Sequence, residues 1–258
     1  MPRRNFNSLT AGWLLAILPA LLASSASAQW GDLKVHFKVD GKAPQLAPLP
    51  VPAGAACPPK VANESFVVDK DGNIQNVVVF LVDNGSEVKV HPGYDKAAKD
   101  KIVVANKGCR FEPHVALLRV GQTLTITNAD MFGHNSQYNF PENKVAQNPL
   151  IPPGGSHVVE PLTKSERRAQ PVSCAIHPWM TGYVLVQNHP YMATSAGDGT
   201  LTIKDLPAGK HTFAFWQENV GYVPSNGKLT TSKGKAEIEI EDGKVKDLGT
   251  VLVKYKTK

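Results

Sequence analysis

The chain has 258 residues, with 28 lysines and arginines against 22 aspartates and glutamates, for a formal net charge of +6 at pH 7. This mild basic excess would favour an acidic partner through electrostatic steering, but it does not define a fold. No run of basic residues is interleaved with aromatic residues, so we expect no nucleic-acid partner. The sequence also lacks a Gly-x-Ser-x-Gly elbow, a Gly-rich phosphate loop and a His-Glu-x-x-His motif, so we do not expect an enzyme.

Residues 1–28 have the features of a secretory signal peptide. Arg3 and Arg4 form a positive end, residues 11–22 are apolar, and Ala26-Ser27-Ala28 provides small residues for cleavage. The apolar stretch is shorter than the roughly 20 residues that a membrane-spanning helix needs. We therefore predict a periplasmic or secreted protein with no stable membrane insertion after cleavage. An uncleaved N-terminal anchor is the alternative.

The segment after the signal contains two predicted strands separated by a connector. Residues 30–39 alternate between apolar and polar, which predicts a half-buried strand. The connector, residues 43–59, is rich in proline, so we expect it to run over the surface without regular pairing. Residues 77–82 form a continuous apolar run bounded by turn signals, which predicts a buried strand.

The rest of the chain also favours β-structure. From residue 101 to 186, short alternating runs are separated by Gly, Pro and Asn, which indicates an all-β sandwich with almost no helix. Residues 140–153 contain four prolines and little periodicity, so we expect a long loop there. After residue 189 the pattern changes to strands divided by Asp-Gly and Pro-Ala-Gly turns.

The segment that organises the functional prediction is Cys174-Ala-Ile-His177-Pro-Trp-Met180. It places a thiol, an imidazole and a thioether in one short loop, with two residues between neighbours. Two histidines, one cysteine and a weak axial methionine are typical of blue-copper sites. His134, just past the alternating run 124–127, is the candidate second histidine. Zinc is an alternative to which a thioether contributes little, and a degenerate site without metal is another.

These residues resemble the cupredoxins, most closely the plastocyanin/amicyanin-like type 1 copper proteins. The resemblance covers about residues 99–188, through Phe111-Glu112-Pro113, the run that starts at Val120, the triplet Gly133-His134-Asn135, and the ligand loop. It implies a Greek-key β-sandwich that binds one type 1 copper ion through His134, Cys174, His177 and Met180.

The resemblance also implies roles for residues around the copper ligands. Asn135 would hydrogen-bond the backbone just after the cysteine and brace the loop. Phe132, Pro178 and Trp179 would form an apolar docking patch around His177 for an unidentified redox partner protein. Packing of the loop against the sandwich is the alternative role for these three residues.

The segments on either side of this region resemble a carboxypeptidase-regulatory-like β-sandwich. Residues 194–215 are similar to its closing half, and residues 33–41 with 77–82 to its opening half. We therefore predict one discontinuous sandwich, residues 29–98 plus 189–258, with a cupredoxin domain, residues 99–188, inserted in a loop. Three consecutive modules are the alternative arrangement.

The chain has three cysteines, an odd number. The ligand loop accounts for Cys174, so Cys57 and Cys109 are free to form a disulfide in an oxidising compartment. Two unpaired thiols are the alternative. His114 lies at a predicted strand start. Two roles stay open for it: a structural role, or a role as an extra ligand or as a residue that contacts a ligand.

The leading functional hypothesis is an exported mononuclear type 1 copper protein that carries single electrons. Two other classes stay open: a copper-delivery or copper-sequestering protein, and an accessory binding module of a redox system.

Overall fold

β-Strands form nearly all of the regular structure. The computed structural model describes residues 1–2, 29–83, 85–224, 229 and 231–257, so residues 3–28 of the predicted signal peptide lie outside the described residues. Within the described ranges, regular helix is limited to the 3₁₀ segment Pro92–Ala97, and no helix there is long and apolar enough to cross a membrane. The all-β prediction is confirmed.

The strands are, in chain order, β1 Trp30–Val39, β2 Val78–Leu81, β3 Lys101–Lys107, β4 Arg110–Glu112, β5 Val115–Arg119, β6 Thr123–Asn128, β7 His134–Asn135, β8 Gln137–Phe140, β9 Val145–Gln147, β10 Leu150–Ile151, β11 Ser156–Val158, β12 Gln170–Ser173, β13 Thr181–Gln187, β14 Met192–Thr194, β15 Thr200–Pro207, β16 Gly209–Gln217, β17 Gly221–Tyr222, β18 Lys235–Ile240 and β19 Val245–Val253.

Strands β3 to β13, residues 101–187, form what we call the inner sandwich. One sheet has the order β11-β6-β3-β4 and the other β5-β13-β12-β8-β9, while β7 and β10 pair separately. Apolar side chains from both sheets meet in one buried cluster, to which β3 contributes Val104, β6 contributes Ile126, β8 contributes Phe140 and β13 contributes Val186. The two sheets therefore enclose a common core, as in a β-sandwich.

The remaining strands form an outer sandwich from both ends of the chain. One sheet has the order β15-β1-β19, and the other joins β14, β2, β16 and β17, with β18 also paired to β16. Thus β1 and β2, which precede the inner sandwich, pair with strands that follow it. These pairings are the contacts that a discontinuous outer sandwich requires. The division at residues 98 and 189 stays a prediction.

Strand β2 is buried on both faces, which explains its unbroken apolar sequence. Val79 and Leu81 point into the outer core. Val78 and Phe80 point the other way, into a third apolar cluster that includes Leu185 of the inner sandwich. The two sandwiches therefore share a buried apolar interface.

Cys57 and Cys109 form a disulfide with a Cα–Cα distance of 5.8 Å, as predicted. Cys57 and Val61 belong to the inner core, so the bond fastens the proline-rich connector to the inner sandwich. Cys109 lies in the two-residue turn between β3 and β4, where Gly108 and Cys109 both have φ of +58°. Two such residues are typical of a type I′ hairpin.

The prediction of a long loop over residues 140–153 is wrong. Strands β9 and β10 lie within this stretch, and β10 pairs with β7 through Leu150 with Asn135 and Ile151 with His134. Each strand has three residues or fewer, which is too short for periodicity to reveal. The stretch matters because it supports the strand that carries His134.

His189 should make the protein less stable in mild acid. Burial lowers the pKa of His189 to about 4, and its Nε2 donates to the Leu81 carbonyl, 3.1 Å away. As the pH falls from 6.5 to 4, His189 becomes protonated in the unfolded chain but stays neutral in the folded chain. The free energy of unfolding should therefore decrease by about 3 kcal/mol over this range. Urea unfolding across this pH range measures the loss. The variant His189→Gln should lose this part of the pH dependence, and an unchanged slope would contradict the assignment.

Candidate metal centre

His134 is positioned by the turn that joins β6 to β7. At the end of β6 the side chain of Asn128 donates to the carbonyls of Phe132 and Ile151, 2.8 and 2.9 Å away, and accepts from the Asp130 amide. These bonds fix both ends of the turn and connect it to β10. The His134 ring is fully buried at the start of β7.

Cys174, His177 and Met180 lie in the short connection between β12 and β13. The loop is closed by two backbone hydrogen bonds, from Cys174 N to Met180 O at 3.3 Å and from Met180 N to His177 O at 2.9 Å. Because β12 and β13 are antiparallel neighbours, the first and last residues of the loop emerge side by side.

The ligand atoms of three predicted residues converge at one point. The Cys174 Sγ is 3.9 Å from His134 Nδ1 and 3.6 Å from His177 Nδ1, and the two Nδ1 atoms are 3.0 Å apart. Metal–nitrogen and metal–sulfur bonds of about 2.0–2.3 Å place neighbouring ligand atoms roughly 3–4 Å apart. The three atoms can therefore hold a single metal ion.

Met180 ends the loop that carries Cys174 and His177. Its backbone N–H donates to the His177 carbonyl, 2.9 Å away, and its side chain is buried in the same apolar cluster as Cys174. A buried thioether on this loop is suited to the predicted role of a weak axial ligand.

Asn135 connects the two segments that carry the ligands. Its Oδ1 accepts from Ala175 N at 2.8 Å and Ile176 N at 3.2 Å, and lies 3.1 Å from Cys174 Sγ. Its Nδ2 donates to Asn148. One buried amide therefore fixes the backbone just after the cysteine.

Asp130 is a site residue that the sequence analysis missed. Its Oδ2 lies 2.9 Å from His134 Nε2, on the side of the ring opposite the ligand cluster. Cys109, which also lies nearby, is in the disulfide and offers no thiolate. The only sequence feature that connects Asp130 to His134 is their spacing of four residues. That spacing predicts a side-chain contact in a helix, but these two residues lie in a turn.

The electrostatics of the site favour neutral imidazoles. Burial lowers the pKa of His134, and the hydrogen bond and charge of Asp130 only partly oppose it. Burial also lowers the pKa of His177, and the neighbouring His134 adds to this effect. Neutral imidazole is the form that binds metals.

The three residues of the predicted docking patch differ in their exposure. Pro178 is exposed, whereas Phe132 and Trp179 are partly buried, with ring centroids 5.7 and 5.3 Å from that of His177. His177 itself is only 6% exposed. The large apolar side chains exposed on the surrounding segments are Met131, Leu150 and Ile176.

His114 does not join the ligand cluster. Its Nε2 lies 2.6 Å from Glu218 Oε2, and its Nδ1 lies 3.7 Å from Glu64 Oε2. Glu218 follows β16 of the outer sandwich, so His114 makes a polar contact between the two sandwiches.

No protein-family model and no curated protein matches the chain. Among solved structures, a reduced Cu(I) form of an amicyanin variant is 24% identical, with a TM-score of 0.30, over 34% of this chain and 82% of the amicyanin. A purple cupredoxin from Nitrosopumilus maritimus is 26% identical, with a TM-score of 0.27, over 34% of this chain and all of that chain. A copper-containing nitrite reductase from Thermus scotoductus is 24% identical, with a TM-score of 0.30, over 33% of this chain and 22% of that chain.

Replacing Asn135 by Ala should loosen the ligand loop. Two backbone amides of part-buried hydrogen bonds would lose their acceptor, which costs about 0.5–1.5 kcal/mol for each bond. Metal affinity should also fall because the ligands are no longer held in place. Asn143→Ala is the matched control, since Asn143 Oδ1 also accepts from two loop amides, of Thr163 and Lys164, in a separate loop. Urea unfolding and metal titration should show both effects for Asn135 but lost stability alone for Asn143. Equal metal affinity in the two variants would refute the bracing role.

Proposed function

We propose that this protein is an exported mononuclear type 1 copper protein that carries single electrons and has no enzymatic activity of its own. The observation that carries the proposal is the buried triangle of two imidazole nitrogens and one cysteine sulfur, with a buried methionine at the end of the same loop.

The donor set favours copper over zinc. Thiolate and thioether suit Cu(I), and imidazole suits copper in both of its oxidation states. A zinc site would gain little from Met180, whose sulfur is a poor zinc ligand. When bound, copper would supply the one-electron redox step.

The chain would provide the copper with ligands that are buried and held in place. The ligand side chains are buried, and Asn135 and two strand ends fix the backbone that carries them. Cu(II) and Cu(I) prefer different geometries, so a site that resists rearrangement keeps the reorganisation small when an electron arrives or leaves.

The docking surface of the proposed carrier lies over His177. Met131 is 88%, Leu150 68% and Ile176 51% exposed, and with Pro178 they provide apolar surface near the loop. Redox encounters bury less than about 1,200 Å², so a small patch of this kind suits a short-lived complex with a redox protein.

The disulfide supports the proposal of export. Disulfides persist in oxidising compartments such as the bacterial periplasm and are rare in the cytosol, and Cys57–Cys109 forms one. A periplasmic or secreted location agrees with the signal-like features of residues 1–28.

Copper titration of the purified protein tests the proposed function. One equivalent of Cu(II) should give an intense visible thiolate-to-copper band that ascorbate bleaches and oxidation restores. Cys174→Ser should lose this band because the thiolate is its source. Readily exchanged Cu(I) with a sluggish redox couple would instead favour copper delivery, and the absence of a coloured form would reject the electron-carrier proposal.

Copper affinity should fall in acid because protons compete with the metal for its ligands, the two imidazoles and the Cys174 thiolate. Burial holds the pKa of His134 and of His177 below the ordinary value, so the part of the loss that is due to the histidines should lie below pH 6.5. Titrations with a competing chelator between pH 8 and 4 measure this profile. An affinity that does not fall between pH 6.5 and 4 would contradict it.

A further inference from the structure

A buried carboxylate holds the side of His134 that faces away from the ligand cluster. We propose that Asp130 is a positioning residue that fixes the His134 tautomer for metal binding and that its negative charge lowers the reduction potential of the centre. This inference rests on the proposed copper function.

The environment of Asp130 is built to keep a carboxylate ionised. The side chain is only 12% exposed, its Oδ1 accepts from Gly108 N at 2.7 Å, and its Oδ2 accepts from Cys109 N at 3.0 Å and faces His134 Nε2 at 2.9 Å. Both carboxylate oxygens therefore accept hydrogen bonds, as those of an ionised carboxylate do.

An ionised carboxylate decides which nitrogen of His134 carries the proton. It can only accept hydrogen bonds, so the proton must reside on Nε2. The lone pair of Nδ1 is then directed towards Cys174 and His177. Metal-binding histidines commonly use a carboxylate in this way, which fixes the ring and makes the ligating nitrogen more basic.

The two amide donors to Asp130 come from an unusual turn. Gly108 and Cys109 both adopt positive φ, and the disulfide to Cys57 fastens this turn to the connector. Two neutral peptide groups and the His134 ring satisfy the carboxylate. Among the described residues no lysine or arginine forms an ion pair with it, so its negative charge is not cancelled.

A negative charge that is buried near a metal stabilises the more positive oxidation state. Cu(II) should therefore gain more from Asp130 than Cu(I), which lowers the reduction potential. His177 is held differently, between the rings of Phe132 and Trp179. Asp130 thus hydrogen-bonds to only one of the two imidazoles.

The decisive experiment compares the reduction potentials of copper-loaded wild type and Asp130→Asn, each as the full chain. Loss of such a carboxylate typically weakens metal binding 10–100-fold, and we expect the loss to fall mainly on Cu(II). Each tenfold loss of Cu(II) affinity relative to Cu(I) raises the potential by about 59 mV for one electron. Glu112→Gln is the matched control, since it removes one negative charge from the adjacent strand β4 at an exposed position and should leave the potential unchanged.

The outcomes separate this inference from the proposed function. Absence of a thiolate-to-copper band in wild type rejects the copper carrier itself. A normal band in Asp130→Asn with the wild-type potential overturns the role of Asp130. Should Asp130→Asn not fold, ¹⁵N NMR of metal-free wild type decides: a proton on His134 Nε2 is expected, and a proton on Nδ1 overturns the inference.

Discussion

The site depends on bringing together two segments that are 40 residues apart in sequence. β7 and the loop after β12 are not hydrogen-bonded strand neighbours, because β7 pairs with β10 and β12 pairs with β8 and β13. The connection is made by side chains, chiefly the Asn135 amide, whose oxygen serves two loop amides. A water molecule in its place would satisfy the same amides but would not bind the loop to β7. Asn135 follows His134 in the chain and hydrogen-bonds the loop that carries His177. The two Nδ1 atoms of these histidines lie 3.0 Å apart.

The rest of the inner sandwich makes this convergence rigid. β13, which follows Met180, is buried on both faces, with Val186 in the inner core and Leu185 against the outer sandwich. The Tyr183 ring makes an edge-to-face contact with Trp216 of the outer sandwich, with centroids 4.9 Å apart. The end of the ligand loop is thus fixed from two sides. The outer sandwich restricts movement of the loop, although it contributes no ligand to the described site.

The sequence predicted the parts of the molecule that have a strong local signal. The alternating residues 30–39 form β1, and the apolar run 77–82 contains β2. A strand buried on one face has an alternating sequence and a strand buried on both faces has a continuous apolar one, so both could be predicted. Cys174, His177 and Met180 were predictable as a group because all three lie on one short loop. The disulfide followed from counting cysteines once Cys174 was assigned.

The features that escaped prediction depend on contacts between distant residues. β9 and β10 are too short for periodicity, and β10 exists because β7 pairs with it. Asp130 meets His134 across an irregular turn, and its other partners, Gly108 and Cys109, are more than 20 residues away. The docking patch of Phe132, Pro178 and Trp179 stays a prediction. Side-chain exposure did not follow from the sequence: Trp179 and Phe132 pack partly against the core, whereas Met131 and Leu150 are exposed.

The two histidines have different surroundings, which suggests that they have different roles. His134 is fully buried and bound to a carboxylate, so its environment sets the charge and orientation of the centre. His177 lies between aromatic rings, with Ile176 and Pro178 exposed on either side of it in sequence. An apolar surface can meet a partner without desolvating charges, which are costly to bury. In the proposed electron carrier, exchange with a redox partner would therefore pass through His177, while Asp130 would act on the metal through the fully buried His134.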